Sequence, residues 1–264
     1  MKTRFALSVT LIALPFIAFS TQAAPKSELW SYWKQSDESN QMTIDHQSWQ
    51  EILDQYLSVS GQDHLFAYQA VKQRDKQKLD NYIAQLSQID PREYSQAVQY
   101  AYWVNLYNAI TVDLILDAYP VKSITKLGGF FSFGPWDEKV VTIEGKKLTL
   151  NDIEHRILRP IWNDPRTHYA VNCASLGCPN LQTKAFTAQN KEALLEQAAK
   201  AFINSPKGVQ VTAKGITLSS IYDWFGRDFA VDGGVMAHIE SYRSGFAASS
   251  EAIKYDYDWS LNKK

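Results

Sequence analysis

One stretch constrains the fold of this chain more than any other, the run from Asp90-Pro91 to Tyr119-Pro120. Asp followed by Pro is a helix start: the Asp caps free amides and the Pro fills the first position, where no N–H is needed. Tyr119-Pro120 ends the helix, because proline disfavours helical geometry at the residue before it. Trp103, Leu106, Tyr107, Ile110 and Leu114 form one stripe, and Asn105, Asn108 and Val112 lie round the other side. A helix apolar over most of its surface belongs at the centre of a fold. Asn is a poor mid-helix residue. Once buried, Asn105 and Asn108 must find partners: they bridge to loop backbone, orient an imidazole or line a pocket.

The remaining pattern is mixed. Trp49, Ile52, Leu53 and Tyr56 recur at helical spacing, as do Leu79, Tyr82, Ile83 and Leu86. Residues 139–143 and 146–148 around Glu144-Gly145 read as a hairpin, as do 209–211 and 216–218 joined through Lys214-Gly215. Thr149-Leu150-Asn151-Asp152 resembles a capping box with Asp in place of Glu. It opens a short helix through Leu158, ended by Pro160. Residues 166–172 form a strand candidate, and Thr187 caps a helix over 188–204. Ser219 or Ser220 opens a short helix, and a helix near 235–242 and a strand near 253–257 finish the chain. Helices come first and hairpins later, without β-α-β alternation. The expected class is α+β, with an N-terminal helical subregion and the central helix packed on a small sheet of hairpins.

The N-terminus reads as a secretory leader. Lys2 and Arg4 precede an apolar stretch over 5–19, interrupted by Ser8, Thr10 and Pro15 and too short for a comfortable membrane span. Thr21-Gln22-Ala23 places small residues for cleavage after Ala23, giving a signal peptide at 1–23 and one domain at 24–264. Removing 23 residues, with Lys2 and Arg4 among them, leaves 241 residues and moves the net charge from −1 to −3. That charge offers no footprint for nucleic acid. No later segment is apolar enough to span a membrane. The expected location is periplasmic or secreted, with a small molecule or an envelope component as partner. With 45% apolar and 13% aromatic residues the chain is no disordered segment. Two cysteines cannot staple it, so a hydrophobic core must. There is no glycine-rich phosphate loop, no Gly-x-Ser-x-Gly and no His-Glu-x-x-His, and neither cofactor nor metal is expected.

Chemistry concentrates in a few clusters. Asn172-Cys173-Ala174-Ser175-Leu176-Gly177-Cys178-Pro179 places a cysteine among small residues, where a turn can expose its thiol. The same segment can close a local disulfide between Cys173 and Cys178. Glu154-His155-Arg156-Ile157-Leu158-Arg159 puts His155 and Arg159 on one helix face, with Glu154 or His155 a candidate acid or base. Asp164-Pro165-Arg166-Thr167-His168 precedes Cys173. Five residues of straight strand would separate His168 from Cys173 by about 16 Å on opposite faces, so His155 is the better base for Cys173. Asp228, in Trp224-Phe225-Gly226-Arg227-Asp228-Phe229, is a candidate partner for Arg159 or Arg166.

These motifs together resemble the domain of unknown function 547 family: Tyr102 through Ala109, Ile153-Glu154-His155 with Leu158-Arg159, Asp164-Pro165-Arg166 with His168, Asn172-Cys173 with Cys178-Pro179, and Trp224-Phe225 with Asp228-Phe229. The resemblance covers about 95–230. Its bacterial members look like exported proteins, and eukaryotic relatives occur beside glutaredoxin-like or leucine-zipper segments. Plant relatives resemble Cys-Gly-x-x-Ser-Ser-Pro at Cys173, which implies that Cys173 is the steadier of the two thiols. The layout is also similar to papain-like and transglutaminase-like folds, although Asn105 and Asn108 stand in the helix where those folds carry the nucleophile. The resulting expectation is a thiol-dependent hydrolase or acyl transferase acting on an amide or ester. Cys173 is its nucleophile and His155 its base, oriented by Glu154 or an Asn. Asn105, Asn108, Arg159, Arg166 and His168 shape the substrate pocket. The alternatives are a binding or envelope-interaction module without turnover, and a thiol–disulfide redox site at Cys173 and Cys178.

Overall fold

A computed structural model describes residues 25–129, 132–212, 215–246 and 253–264. The expected leader at 1–23 lies outside the described residues. The class is α+β. Helices α1 (Gln47–Tyr56) and α2 (Gln73–Ser87) flank a hairpin of β1 (Leu57–Ser60) and β2 (Asp63–Phe66). The long helix α3 (Gln96–Ala118) follows, with every residue from Val98 to Val112 buried. Its apolar circumference leaves no face to spend on solvent. Asp90 caps the short turn ahead of it, accepting from the Arg92 N–H at 3.0 Å.

The partners of α3 are α2 and a helical segment from the middle of the chain. A hairpin of β3 (Val141–Ile143) and β4 (Lys146–Leu148) leads into that segment. The capping box forms reciprocally. The Asp152 N–H donates to Thr149 Oγ1 at 2.9 Å, and the Thr149 N–H to Asp152 Oδ2 at 3.0 Å. The helix it opens does not stop at Pro160. Residues Asp152–Leu158 form a π-helix, with the Arg159 N–H reaching back to the Glu154 carbonyl. The chain continues helically through α4 (Arg159–Trp162) to Asn163, a left-handed residue at φ 49°. Pro160 is tolerated because the carbonyls it leaves without a donor are satisfied from outside. The Glu28 N–H donates to the His155 carbonyl at 3.0 Å and the Trp30 N–H to that of Arg156 at 2.9 Å.

The strand expected over 166–172 is instead the short helix α5 (Thr167–Ala170) followed by extended residues. Asp164-Pro165 turns the chain: Asp164 Oδ1 accepts from the Arg166 N–H at 2.9 Å, and the next amides bond three residues back. Helix α6 (Lys191–Ile203) bridges two groups of buried residues. Leu194 and Leu195 join the core around α3. Ala198, Ala199, Phe202 and Ile203 join a second cluster with Tyr169. The three-stranded sheet supports this second cluster: β5 (Val209–Thr212), β6 (Gly215–Ser219) and β7 (Ile253–Asp256) lie in that order, β6 and β7 parallel. Helices α7 (Ile221–Trp224) and α8 (Val235–Tyr242) complete it. The sheet thus underlies α6–α8, while helices cover the central α3.

Candidate functional site

Cys173 is set in place by one asparagine of α3. Asn108 Nδ2 donates to the Ala170 carbonyl at 2.9 Å, and Asn108 Oδ1 accepts from the Asn172 N–H at 2.8 Å. Asn172 in turn accepts from the Ala174 N–H at 2.9 Å and donates to the Pro179 carbonyl at 2.8 Å. Ala174 takes a left-handed φ of 56°, a costly conformation for alanine that the asparagine pair holds. The C-terminal segment clamps the outer side. The Leu176 N–H donates to Ser260, the Gly177 N–H to Asp258 and the Asn262 N–H to the Ala174 carbonyl, all within 3.0 Å. Gly177 is required here, since a Cβ would lie 2.6 Å from the Asp258 nitrogen.

The turn faces two thiols towards each other. Both are free; their sulfurs are 2.9 Å apart, and the Cys173 N–H donates to Cys178 Sγ at 2.9 Å. Cys173 is half-buried and also meets Ser175 Oγ at 3.1 Å and the Tyr257 hydroxyl at 3.0 Å. Cys178 is 5% exposed. Burial raises the Cys173 thiol, but hydrogen bonds from Cys178, Ser175 and Tyr257 outweigh it and bring the pKa below the ordinary value. Burial, together with the bond to Cys173, holds Cys178 well above it. Of the two sulfurs, Cys173 is therefore the one at which ionisation is favoured.

The second group is polar and buried. Asp228, from the turn Gly226–Asp232, accepts from Arg159 Nε at 2.6 Å and Nη2 at 3.1 Å, and from His168 Nε2 at 2.8 Å. Burial raises this carboxyl, yet His168 and Arg159 hold it far below the usual carboxylate range. His155 Nδ1 accepts from Arg159 Nη1 at 2.8 Å. Glu154 Oε1 lies 3.8 Å from His155 Nδ1 and 3.9 Å from His168 Nδ1. The Phe225 ring stacks on His168 at 4.4 Å and underlies the Arg159 guanidinium at 4.7 Å.

The structure brings Glu154, His155, Arg159 and His168 together and leaves His155 without a hydrogen bond to Cys173. The chemistry of His155 also departs from the base expected of it. An arginine can only donate, so Nδ1 is the acceptor and the neutral ring carries its proton on Nε2. Burial brings its pKa down to about 4, so the ring has little capacity to take a thiol proton. Asn105 and Asn108 spend their amides on backbone; for Asn105 the partner is Phe186, at 2.8 and 3.0 Å. Arg166 is turned to Asp164 and Glu192, at 2.7 and 2.8 Å. Asp228 does pair with Arg159.

Two contributors escaped the sequence reading. Tyr257 reaches Cys173 from 84 residues away, and no local motif marks it. Tyr107 lies on the α3 stripe and reads as core, but burial, and after it the charges of Glu154 and the two cysteines, push its hydroxyl well above the ordinary pKa. Among the described residues no set of three His, Cys, Asp or Glu side chains is arranged to hold a metal. No helix among them is long and apolar enough to cross a membrane. A surface cavity lined by Asp80, Asp113, Val141 and Glu144 contains neither a thiol nor an imidazole.

Residues 91–203 match the family described as "Protein of unknown function, DUF547". That span holds α3, the π-helix, the paired cysteines and α6. None of the curated proteins or solved structures compared with the chain matches it.

Proposed function

We propose that this chain, whose residues 91–203 belong to the DUF547 family, carries a dithiol site that exchanges with disulfides. Cys173 is the attacking thiolate and Cys178 the resolving thiol. The observation behind this reading is the asymmetry of the pair: two free sulfurs 2.9 Å apart, the more exposed one lowered in pKa and the buried one raised. The Cys173 thiolate attacks one sulfur of a partner disulfide, whose S–S bond breaks and whose other sulfur leaves as thiolate. Cys178 then gives its proton to that thiolate and attacks Cys173 Sγ. The bond between Cys173 and the partner breaks, and the second partner sulfur leaves. The partner gains two electrons, and Cys173–Cys178 becomes an internal disulfide.

A hydrolase or acyl transferase would use the same thiolate but needs an imidazole to carry protons to the leaving group. His155 is turned to Arg159 instead, which is why exchange is the better reading. The buried Glu154–Asp228 group then serves as a polar network that fixes the chain between its two cores. With the leader read at 1–23, the site would work in an oxidising compartment on a small-molecule or envelope disulfide.

An aryl disulfide that releases a coloured thiolate tests the scheme. The full-length protein should release two thiolates per chain and Cys178→Ser only one, stopping at the mixed disulfide. A single release from both proteins would refute exchange.

A further inference from the structure

Residues 25–30 lie on the π-helix as an extended ligand would. Pro160 has no N–H for the carbonyl of Arg156, its partner in α register, or of His155, its partner in π register. The amides of Glu28 and Trp30 fill both places, at 3.0 and 2.9 Å. Their spacing of two is that of an extended backbone presenting alternate amides to one side. The Pro25 carbonyl accepts from Arg159 Nη1 at 2.9 Å. The Arg156 guanidinium covers the Trp30 ring at 4.6 Å. Residues 25–29 are otherwise exposed. Recognition thus rests on backbone groups and one aromatic anchor, the half-buried Trp30 ring, which packs on the core and edge-on to Trp33 at 6.0 Å.

We propose that this face of the π-helix is a binding groove for an extended polypeptide, held in cis by residues 25–30. Its ligand is a peptide with two free amides spaced by two, an aromatic ring at the second and a carbonyl three residues before the first. Three hydrogen bonds, the Arg156 contact and the packing of Trp30 on Trp33 and the core must offset the ordering of six residues, so the segment opens locally, with water taking the two freed carbonyls. Opening releases Arg159 Nη1, which also holds His155. The inference is independent of the thiol chemistry.

The test uses the full-length protein and a fluorescent, end-blocked peptide of the sequence Pro-Lys-Ser-Glu-Leu-Trp. Glu28→Pro in the protein deletes the amide that bonds the His155 carbonyl and frees the groove. This variant should bind the peptide about tenfold more tightly than the unaltered protein, in which the cis segment competes. A peptide carrying the same proline should not bind. Equal binding by both proteins, or none by either, overturns the proposal. Hydrogen exchange on the unaltered chain decides the matter even if the variant fails to fold. The Glu28 and Trp30 amides should exchange by local opening, well before those of α3. Exchange only with global unfolding would show the segment to be fixed and the groove closed.

Discussion

Cys178 Sγ lies 2.9 Å from Cys173 Sγ, and a hydrogen bond joins two thiols of unequal acidity. The two sulfurs therefore do not share one chemistry. Cys173 also has Ser175 and Tyr257 to stabilise a negative charge, whereas Cys178 is enclosed. A charge on either sulfur suppresses ionisation of the other, which fixes the order of reaction.

Alkylation should show that order. Cys173 should react with iodoacetamide with a midpoint below that of an ordinary thiol, and Cys178 should react only after unfolding. Cys178→Ala removes a hydrogen bond that lowers the Cys173 pKa and should move the midpoint upward. Rates followed by mass spectrometry against pH measure both.

Tyr257→Phe should keep the fold, because its ring packing on Trp224 and Trp259, at 4.9 and 4.6 Å, is retained. The lost hydroxyl bonds both Cys173 and Ser175. Thiolate reactivity at pH 6 should fall by about three- to tenfold. Unchanged reactivity would mean that the tyrosine does not stabilise the thiolate.

Asn108→Ala and Asn105→Ala should separate fold from site. Each orphans a buried amide and a buried carbonyl, at a cost of about 2–4 kcal/mol in urea unfolding. Only Asn108 holds the turn that carries Cys173. Its variant should shift the alkylation midpoint, while that of Asn105, bonded to Phe186, should not.

Stability should fall on acidification between pH 6.5 and 4. His46 and His155 are buried and depressed to about 4 from 6.5. Across that window the unfolded chain binds their protons and the folded chain does not, for up to about 3 kcal/mol each. Asp113, raised by burial to about 6, works in the opposite sense and offsets part of the loss. His46→Gln should flatten the dependence of the urea midpoint on pH by close to one proton.

The central helix, the Thr149–Asp152 box and the Arg159–Asp228 pair were legible because each follows from local spacing or from a charge in need of a partner. The helix through Pro160 was not. What lets it continue is the pair of amides at Glu28 and Trp30, far away in the chain. The direction of His155 was hidden for a related reason. Sharing a face with Arg159 was readable, but that the arginine would take Nδ1 depends on Asp228 and Pro25 fixing the guanidinium. The α5 turn was hidden because Asp164-Pro165 overrides a β-like run. Tyr257 reaches Cys173 only once the C-terminal segment lies against the turn.

The redox equilibrium of Cys173 and Cys178 tests the central claim most directly. The full-length protein is equilibrated with mixtures of reduced and oxidised glutathione, quenched with acid, alkylated and weighed. A single two-electron transition is expected, from two alkylatable thiols to an internal disulfide lacking two hydrogens, with Cys178→Ser held as a glutathione mixed disulfide. Two thiols that remain alkylatable in excess oxidised glutathione would contradict the account.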